Sequence, residues 1–218
     1  MLIGTVDAPW CGHCQSLVPQ LEKAAADLEH DGWRAASVDC EAEKLLCREY
    51  KIAMYPTIYA FSGSSSNFTV YNDLHNAEAM ELFARRWHRP LVSSLSSADD
   101  IRDFRAADRI TVIANIDEAD RQSRTAFRNV AEVYHDEFSF ASVAGTSAAA
   151  SSDEDIPESS IVLFRASDGE RAIYQDEFDA EKIEDFLIDN KLPLIVEVDL
   201  NVRISNGVVS ISTLSDAH

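Results

Sequence analysis

Cys11-Gly12-His13-Cys14 constrains this chain more than any other stretch of it. Two cysteines separated by two residues can close a small disulfide, and this pair opens an apolar-periodic segment. Leu17, Leu21, Ala25 and Leu28 recur at helical spacing, which predicts a helix N-terminus at Cys11 with Cys14 one turn inside. The positive end of a helix dipole and its unpaired N–H groups stabilise a thiolate at that point. A protonated His13 would add a second positive charge. A thiolate so placed attacks disulfides, and the second cysteine resolves the mixed disulfide that forms. The motif therefore points to thiol–disulfide exchange. The redox couple is covalent, so this reading requires no bound cofactor.

Two blander readings fit the same four residues. A C-x-x-C can be half of a zinc site, and the chain holds four cysteines. The other pair, Cys40 and Cys47, is separated by six residues, whereas a zinc knuckle usually repeats the close spacing. The second alternative is a purely structural Cys11–Cys14 bridge, but so short a loop constrains little of the unfolded chain.

Charge excludes several partners. The 218 residues carry 19 basic against 38 acidic side chains, formally −19, and such a chain repels nucleic acid and anionic membrane surfaces. No EF-hand loop accompanies the acidity. No apolar run approaches the roughly 20 residues of a membrane-spanning helix. Met1-Leu2-Ile3-Gly4 leads straight into the motif without a cleavable signal, and Ser215-Asp216-Ala217-His218 is not a retention tetrapeptide. Asn67-Phe68-Thr69 is a glycosylation sequon, relevant only in a secretory compartment.

Along the chain, Leu2 to Val6 reads as a buried strand feeding the motif helix, in which Pro19 is expected to place a kink. Trp33 to Val38 reads as a strand and Ala42 to Tyr50 as a helix, with Leu45, Leu46 and Tyr50 on its inner face. Thr57 to Phe61 and Phe68 to Tyr71 are strands around a Ser/Gly turn over 62–67. A helix bearing Met80, Phe83, Ala84 and Trp87 closes the unit, giving the order β-α-β-α-β-β-α. Ser93 to Ser97 reads as a linker. A similar order then returns without cysteines: helix Asp99–Ala106, strand Ile110–Ile116, helix Asp120–His135 and strand Phe138–Ala144. A small, acidic loop follows over 145–155, then strands Ile161–Arg165 and Arg171–Tyr174. Asp179 caps a last helix with Ile183, Phe186 and Leu187 facing inward. The expected division is 1–90, 91–200 and a tail over 201–218 that reads as disordered, with a possible hairpin at Asn206-Gly207.

Ala8 to Cys14, followed by Leu17 and Pro19, resembles the catalytic a domain of the protein disulfide isomerase family. Val38-Asp39-Cys40, Leu46-Cys47, Tyr50 and Tyr55-Pro56-Thr57 extend the resemblance. Ile161-Val162-Leu163-Phe164 and residues 190–197 resemble that family's non-catalytic b domain. The resemblance implies an α/β chain of two tandem thioredoxin-like domains, the first lacking an N-terminal strand and helix. It implies Cys11 as nucleophile, Cys14 as buried resolving thiol, and Gly12 and His13 as the residues completing the catalytic motif. Trp10 would form an apolar lip, the backbone of Tyr55 would pair with substrate, and Pro56 would follow a cis bond. Cys40 and Cys47 would form a structural disulfide. Implied partners are unfolded or misoxidised proteins and an upstream thiol oxidase or glutathione. The implied compartment is the lumen of the endoplasmic reticulum.

Three positions depart from that family's pattern. Thr5 stands where a buried glutamate is expected, Ser37 where a lysine is expected, and His75 where an arginine is expected. Those groups serve proton transfer at the resolving cysteine, so their absence predicts slower resolution. Losing the glutamate and lysine together leaves neither as an unpaired buried charge. A redox-slow, chaperone-like or peptide-binding module is the competing function, and an isolated fragment without activity is a third.

Overall fold

The computed structural model describes residues 1–61, 68–143 and 156–192. The sequon asparagine, the turn over 62–67, the loop over 145–155 and the tail over 201–218 lie outside the described residues. Two sheets divide the described chain. The first has the order β2-β1-β3-β4, built from β1 (Leu2–Asp7), β2 (Arg34–Asp39), β3 (Thr57–Phe61) and β4 (Phe68–Tyr71). β1 runs parallel to β2, with Leu2 opposite Arg34, and antiparallel to β3, with Thr5 opposite Ile58. The parallel pair needs a crossover, and α1 (Gly12–Leu28) supplies it.

On α1, buried Cys14, Leu17, Leu21, Ala24 and Leu28 recur at helical spacing. They pack on Ile3, Ile58 and Ala60 of the sheet and on Met80, Phe83 and Ala84 of α3 (Ala77–His88). The helix continues through Pro19. After a short 3-10 turn, Gly32 reverses the chain at φ 77°, a conformation that favours glycine, and delivers it to β2. Among the described residues the opposite face of the sheet carries only α2 (Lys44–Glu49), anchored by Cys47 against Val6, Cys40 and Tyr59.

Here the structure departs from the sequence reading. Leu45 is exposed, Leu46 is largely so and Tyr50 is half-buried. Only Cys47 of α2 points fully inward, so Leu46 and Tyr50 line an open apolar cleft of about 570 Å³ against Val6, Val38 and Phe61.

The second sheet has the order β5-β7-β6-β8-β9, from β5 (Ser93–Leu95), β6 (Ile110–Asn115), β7 (Ser139–Val143), β8 (Ser160–Arg165) and β9 (Arg171–Tyr174). α4 (Ala98–Ala106) covers one face through Ile101 and Phe104. α5 (Arg121–Tyr134) and α6 (Ala180–Asn190) cover the other through Phe127, Val130, Ile183 and Leu187. The expected linker at Ser93–Ser97 is instead an edge strand and a helix cap. Leu95 is buried in the core, and Ser97 and Asp100 form a reciprocal capping box. The fold is α/β with two thioredoxin-like domains, each built on its own sheet.

Candidate redox site

The site forms where β1 stops and α1 starts. Cys11 donates its backbone N–H to the Ala8 carbonyl at 3.0 Å, a tight turn that sets Cys11 at the N-cap of α1. The Cys11 sulfur accepts the Cys14 backbone N–H at 3.1 Å, filling the capping role usually taken by a side-chain oxygen. Gln15 braces the same turn, its Nε2 donating to the Pro9 carbonyl at 3.1 Å. No acidic residue occupies the first turn of α1, so the unpaired N–H groups and the helix dipole act on Cys11 unopposed.

Cys11 and Cys14 are joined as a disulfide with a Cα separation of 5.2 Å. Both are buried, Cys11 at 7 % exposure and Cys14 at 4 %, and they pack with Ala8 and Tyr55. Tyr55 arrives from the loop before β3, and its bond to Pro56 is cis. Thr57 Oγ1 donates to the Met54 carbonyl at 2.6 Å and pins this loop. Trp10 is 69 % exposed, stands edge-on to Tyr55 with ring centres 5.8 Å apart, and donates its indole N–H to Glu41 at 3.2 Å. Trp10, Tyr55 and Met54 thus make an apolar rim beside the disulfide, Met54 being 71 % exposed.

Gly12 and His13 occupy the exposed first turn. His75 stacks on Tyr71 at the far end of β4 and lies close enough to His13 for the two positive charges to oppose each other. Partial burial first, and His13 second, hold the His75 imidazole below the ordinary histidine value. Thr5 is buried on β1, opposite Ser37 and Ile58, with its hydroxyl unpartnered among the described residues. Ser37 donates its hydroxyl to the Asp7 carboxylate.

Cys40 and Cys47 form a second disulfide, Cα atoms 5.7 Å apart, in the separate cluster of Val6 and Tyr59. The four cysteines are joined two and two and are not gathered around one point. Sequence reasoning missed Glu41, Gln15 and Met54. Glu41 carries no local signal; Met54 could have been read from its place beside Tyr55-Pro56.

Comparison with known proteins agrees with this architecture. The thioredoxin family matches residues 3–85, and a family described as thioredoxin-like domain matches residues 116–203. A protein disulfide-isomerase of Humicola insolens is 34% identical over 191 residues, covering 88% of this chain and 37% of that protein. The putative protein disulfide-isomerase C1F5.02 of Schizosaccharomyces pombe is 34% identical over 196 residues, covering 88% and 39%. The protein disulfide-isomerase of Aspergillus niger is 33% identical over 191 residues, covering 88% and 36%. The chain therefore spans well under half the length of the relatives it matches. A thioredoxin domain with a C-x-x-C pair at its helix N-terminus, followed by a thioredoxin-like domain, places this chain in the protein disulfide isomerase family.

Proposed function

We propose that the chain carries out thiol–disulfide exchange on protein substrates through Cys11 and Cys14. In the oxidising direction a substrate thiolate attacks Cys11 Sγ, and the bond to Cys14 breaks with the electron pair leaving on Cys14. A second substrate thiolate then attacks the substrate sulfur of the mixed disulfide and expels Cys11. The substrate gains one disulfide and the chain gains two electrons, which a thiol oxidase or oxidised glutathione removes again. In the isomerising direction the Cys11 thiolate attacks a substrate disulfide, and Cys14 resolves the adduct when substrate rearrangement stalls. The observation that carries this reading is Cys11 at the N-cap of α1, with its sulfur on the Cys14 N–H and no acid in the first turn.

In this reading Trp10, Tyr55 and Met54 hold the apolar part of a substrate segment, and the backbone around Tyr55 and Pro56 aligns it. A protonated His13 would add positive charge beside the attacking sulfur. Cys40–Cys47 steadies α2 rather than taking part in exchange. Thr5 offers no carboxylate to accept the Cys14 proton, so resolution is slow relative to attack. The catalytic unit is residues 1–90 and the non-catalytic unit 91–200, acting on unfolded or misoxidised chains in the lumen of the endoplasmic reticulum. No helix among the described residues is long and apolar enough to cross a membrane.

A second reading, a peptide-binding module with little turnover, draws on the apolar cleft beside α2. Trapping separates the two. The Cys14→Ser chain, incubated with reduced and denatured ribonuclease under glutathione buffer, should accumulate a mixed disulfide through Cys11, read by non-reducing gel and mass spectrometry. Non-covalent complexes without a trapped species would favour the binding module.

A further inference from the structure

The second domain has an open cleft of about 390 Å³ between α5 and the β5 edge of its sheet. Its floor follows from register. Ser94 on β5 lies opposite Ser142 on β7, and Ser142 lies opposite Ala114 on β6, so three small side chains stand in one row. Larger residues in that row would fill the space between α5 and the sheet; small ones leave a groove walled by Val92 and Phe127.

The rim has a different chemistry. Arg121, Arg124 and Arg128 all line the cleft and fall on one stripe of α5 at spacings of three and four residues. In a chain of formal charge −19, three arginines against the single carboxylate of Glu118 in the same lining make a local concentration of positive charge. Two of the guanidinium groups are lightly held. Arg124 donates to the Glu118 carbonyl at 3.3 Å, and Arg128 meets the exposed Glu132 at 3.6 Å. The Arg121 side chain has no hydrogen bond or ion pair among the described residues. Among the described residues β5 pairs only with β7, and none of them covers its outer backbone edge, where another strand can add.

We propose that this cleft binds an extended peptide segment in which acidic residues alternate with apolar ones. The strand adds to the free edge of β5, its apolar side chains enter the groove over Ser94, Ser142 and Ala114, and its carboxylates meet Arg121 and Arg128. Charge selects the class: acidic segments are repelled by most of this surface and attracted at this rim. The free edge selects an extended chain over a small amphiphilic anion, which could satisfy the arginines and floor but not the backbone. This site uses neither Cys11 nor Cys14 and stands apart from the proposed exchange chemistry.

The test titrates the whole chain against a fluorescein-labelled peptide alternating glutamate with valine, a lysine–valine counterpart, and octanoate. The acidic peptide should bind, weaken as salt rises, and shift the backbone amides of Ser93–Leu95 and Arg121–Arg128 in a nitrogen–proton correlation spectrum. Arg121→Glu with Arg128→Glu, both exposed and away from the core, should weaken it about tenfold or more. Ser142→Leu, which fills the floor without changing charge, should weaken it too while leaving a cooperative melt. Equal binding of both peptides, or undiminished binding by the arginine pair variant, would overturn the proposal. Octanoate shifting the same amides and displacing the peptide completely at comparable affinity would overturn the peptide as occupant.

Discussion

Arg86 and Asp108 meet across the boundary between the two sheets in a two-pronged ion pair, Nε to Oδ2 at 2.7 Å and Nη2 to Oδ1 at 3.0 Å. The Arg86 side chain is 3% exposed and that of Asp108 is fully buried. Arg86 also donates to the Asp136 carbonyl, and Asp108 accepts the Ser139 hydroxyl at 2.6 Å. Arg89 joins the cluster, donating to Ser139 Oγ at 2.9 Å and to the Ala107 carbonyl at 3.0 Å. An α3 side chain from the first domain thus satisfies a buried carboxylate of the second.

Removing one partner strands the other. Arg86→Ala leaves Asp108 buried without its main counter-charge and should destabilise the chain by about 3–5 kcal/mol in urea unfolding. Arg86→Leu combined with Asp108→Leu should cost much less than the sum of the single changes. Strict additivity would mean that the pair does not couple the domains.

His135 makes stability depend on pH. It packs beside Trp87, with ring centres 6.3 Å apart, and faces Arg86, Arg89, Asp136 and Asp108. Burial first, and the neighbouring Arg86 charge second, hold its imidazole below the ordinary value of 6.5. As pH falls below that value the unfolded chain takes up the proton first, so stability declines until the folded imidazole also titrates. His75 adds in the same direction. The urea midpoint should therefore drop between neutral and mildly acidic pH, and His135→Gln should lessen the drop. An unchanged slope in that variant would remove His135 from the explanation.

Thr5 offers a stabilising change. Its hydroxyl is buried without a partner among the described residues, and valine has nearly the same shape. Thr5→Val should raise stability by about 1 kcal/mol, because it removes an uncompensated desolvation cost. A loss of stability would show that the hydroxyl has a partner in solution.

Cys40–Cys47 closes a short loop that holds α2 on the sheet. Cys40→Ala with Cys47→Ala should lower stability by about 2–3 kcal/mol on loop-closure entropy. Exchange by Cys11 and Cys14 should persist wherever the variant remains folded, as read by insulin reduction below its melting point. Loss of exchange in a folded variant would give this pair a direct redox part.

Local pattern carried much of the fold. The helical spacing after Cys11 placed α1, and alternation between turn signals placed β3 and β4 at Thr57–Phe61 and Phe68–Tyr71. Serine content misled at 93–97, because a three-residue edge strand holding one buried leucine looks like a linker until the capping box is noticed. Hydrophobicity alone predicts Leu45, Leu46 and Tyr50 on an inward face, whereas Leu45 and Leu46 are exposed. Nothing local says that the sheet face beside α2 is an open cleft.

The candidate site was legible only where its parts adjoin in sequence. Cys11 and Cys14 share one helical turn, so their contact follows from spacing. Tyr55 reaches them through the antiparallel pairing of β1 with β3, a long-range contact that spacing does not reveal. The Trp10–Glu41 bond and the Arg86–Asp108 pair depend on tertiary packing in the same way.

Reactivation of scrambled ribonuclease by the whole chain, beside Cys11→Ser, tests exchange at Cys11 most directly. Exchange at Cys11 predicts reactivation by the chain in glutathione buffer and none above background by the variant, with both proteins melting cooperatively. A cooperatively folded chain that does not reactivate ribonuclease, or a Cys11→Ser variant that reactivates it equally well, would contradict the account.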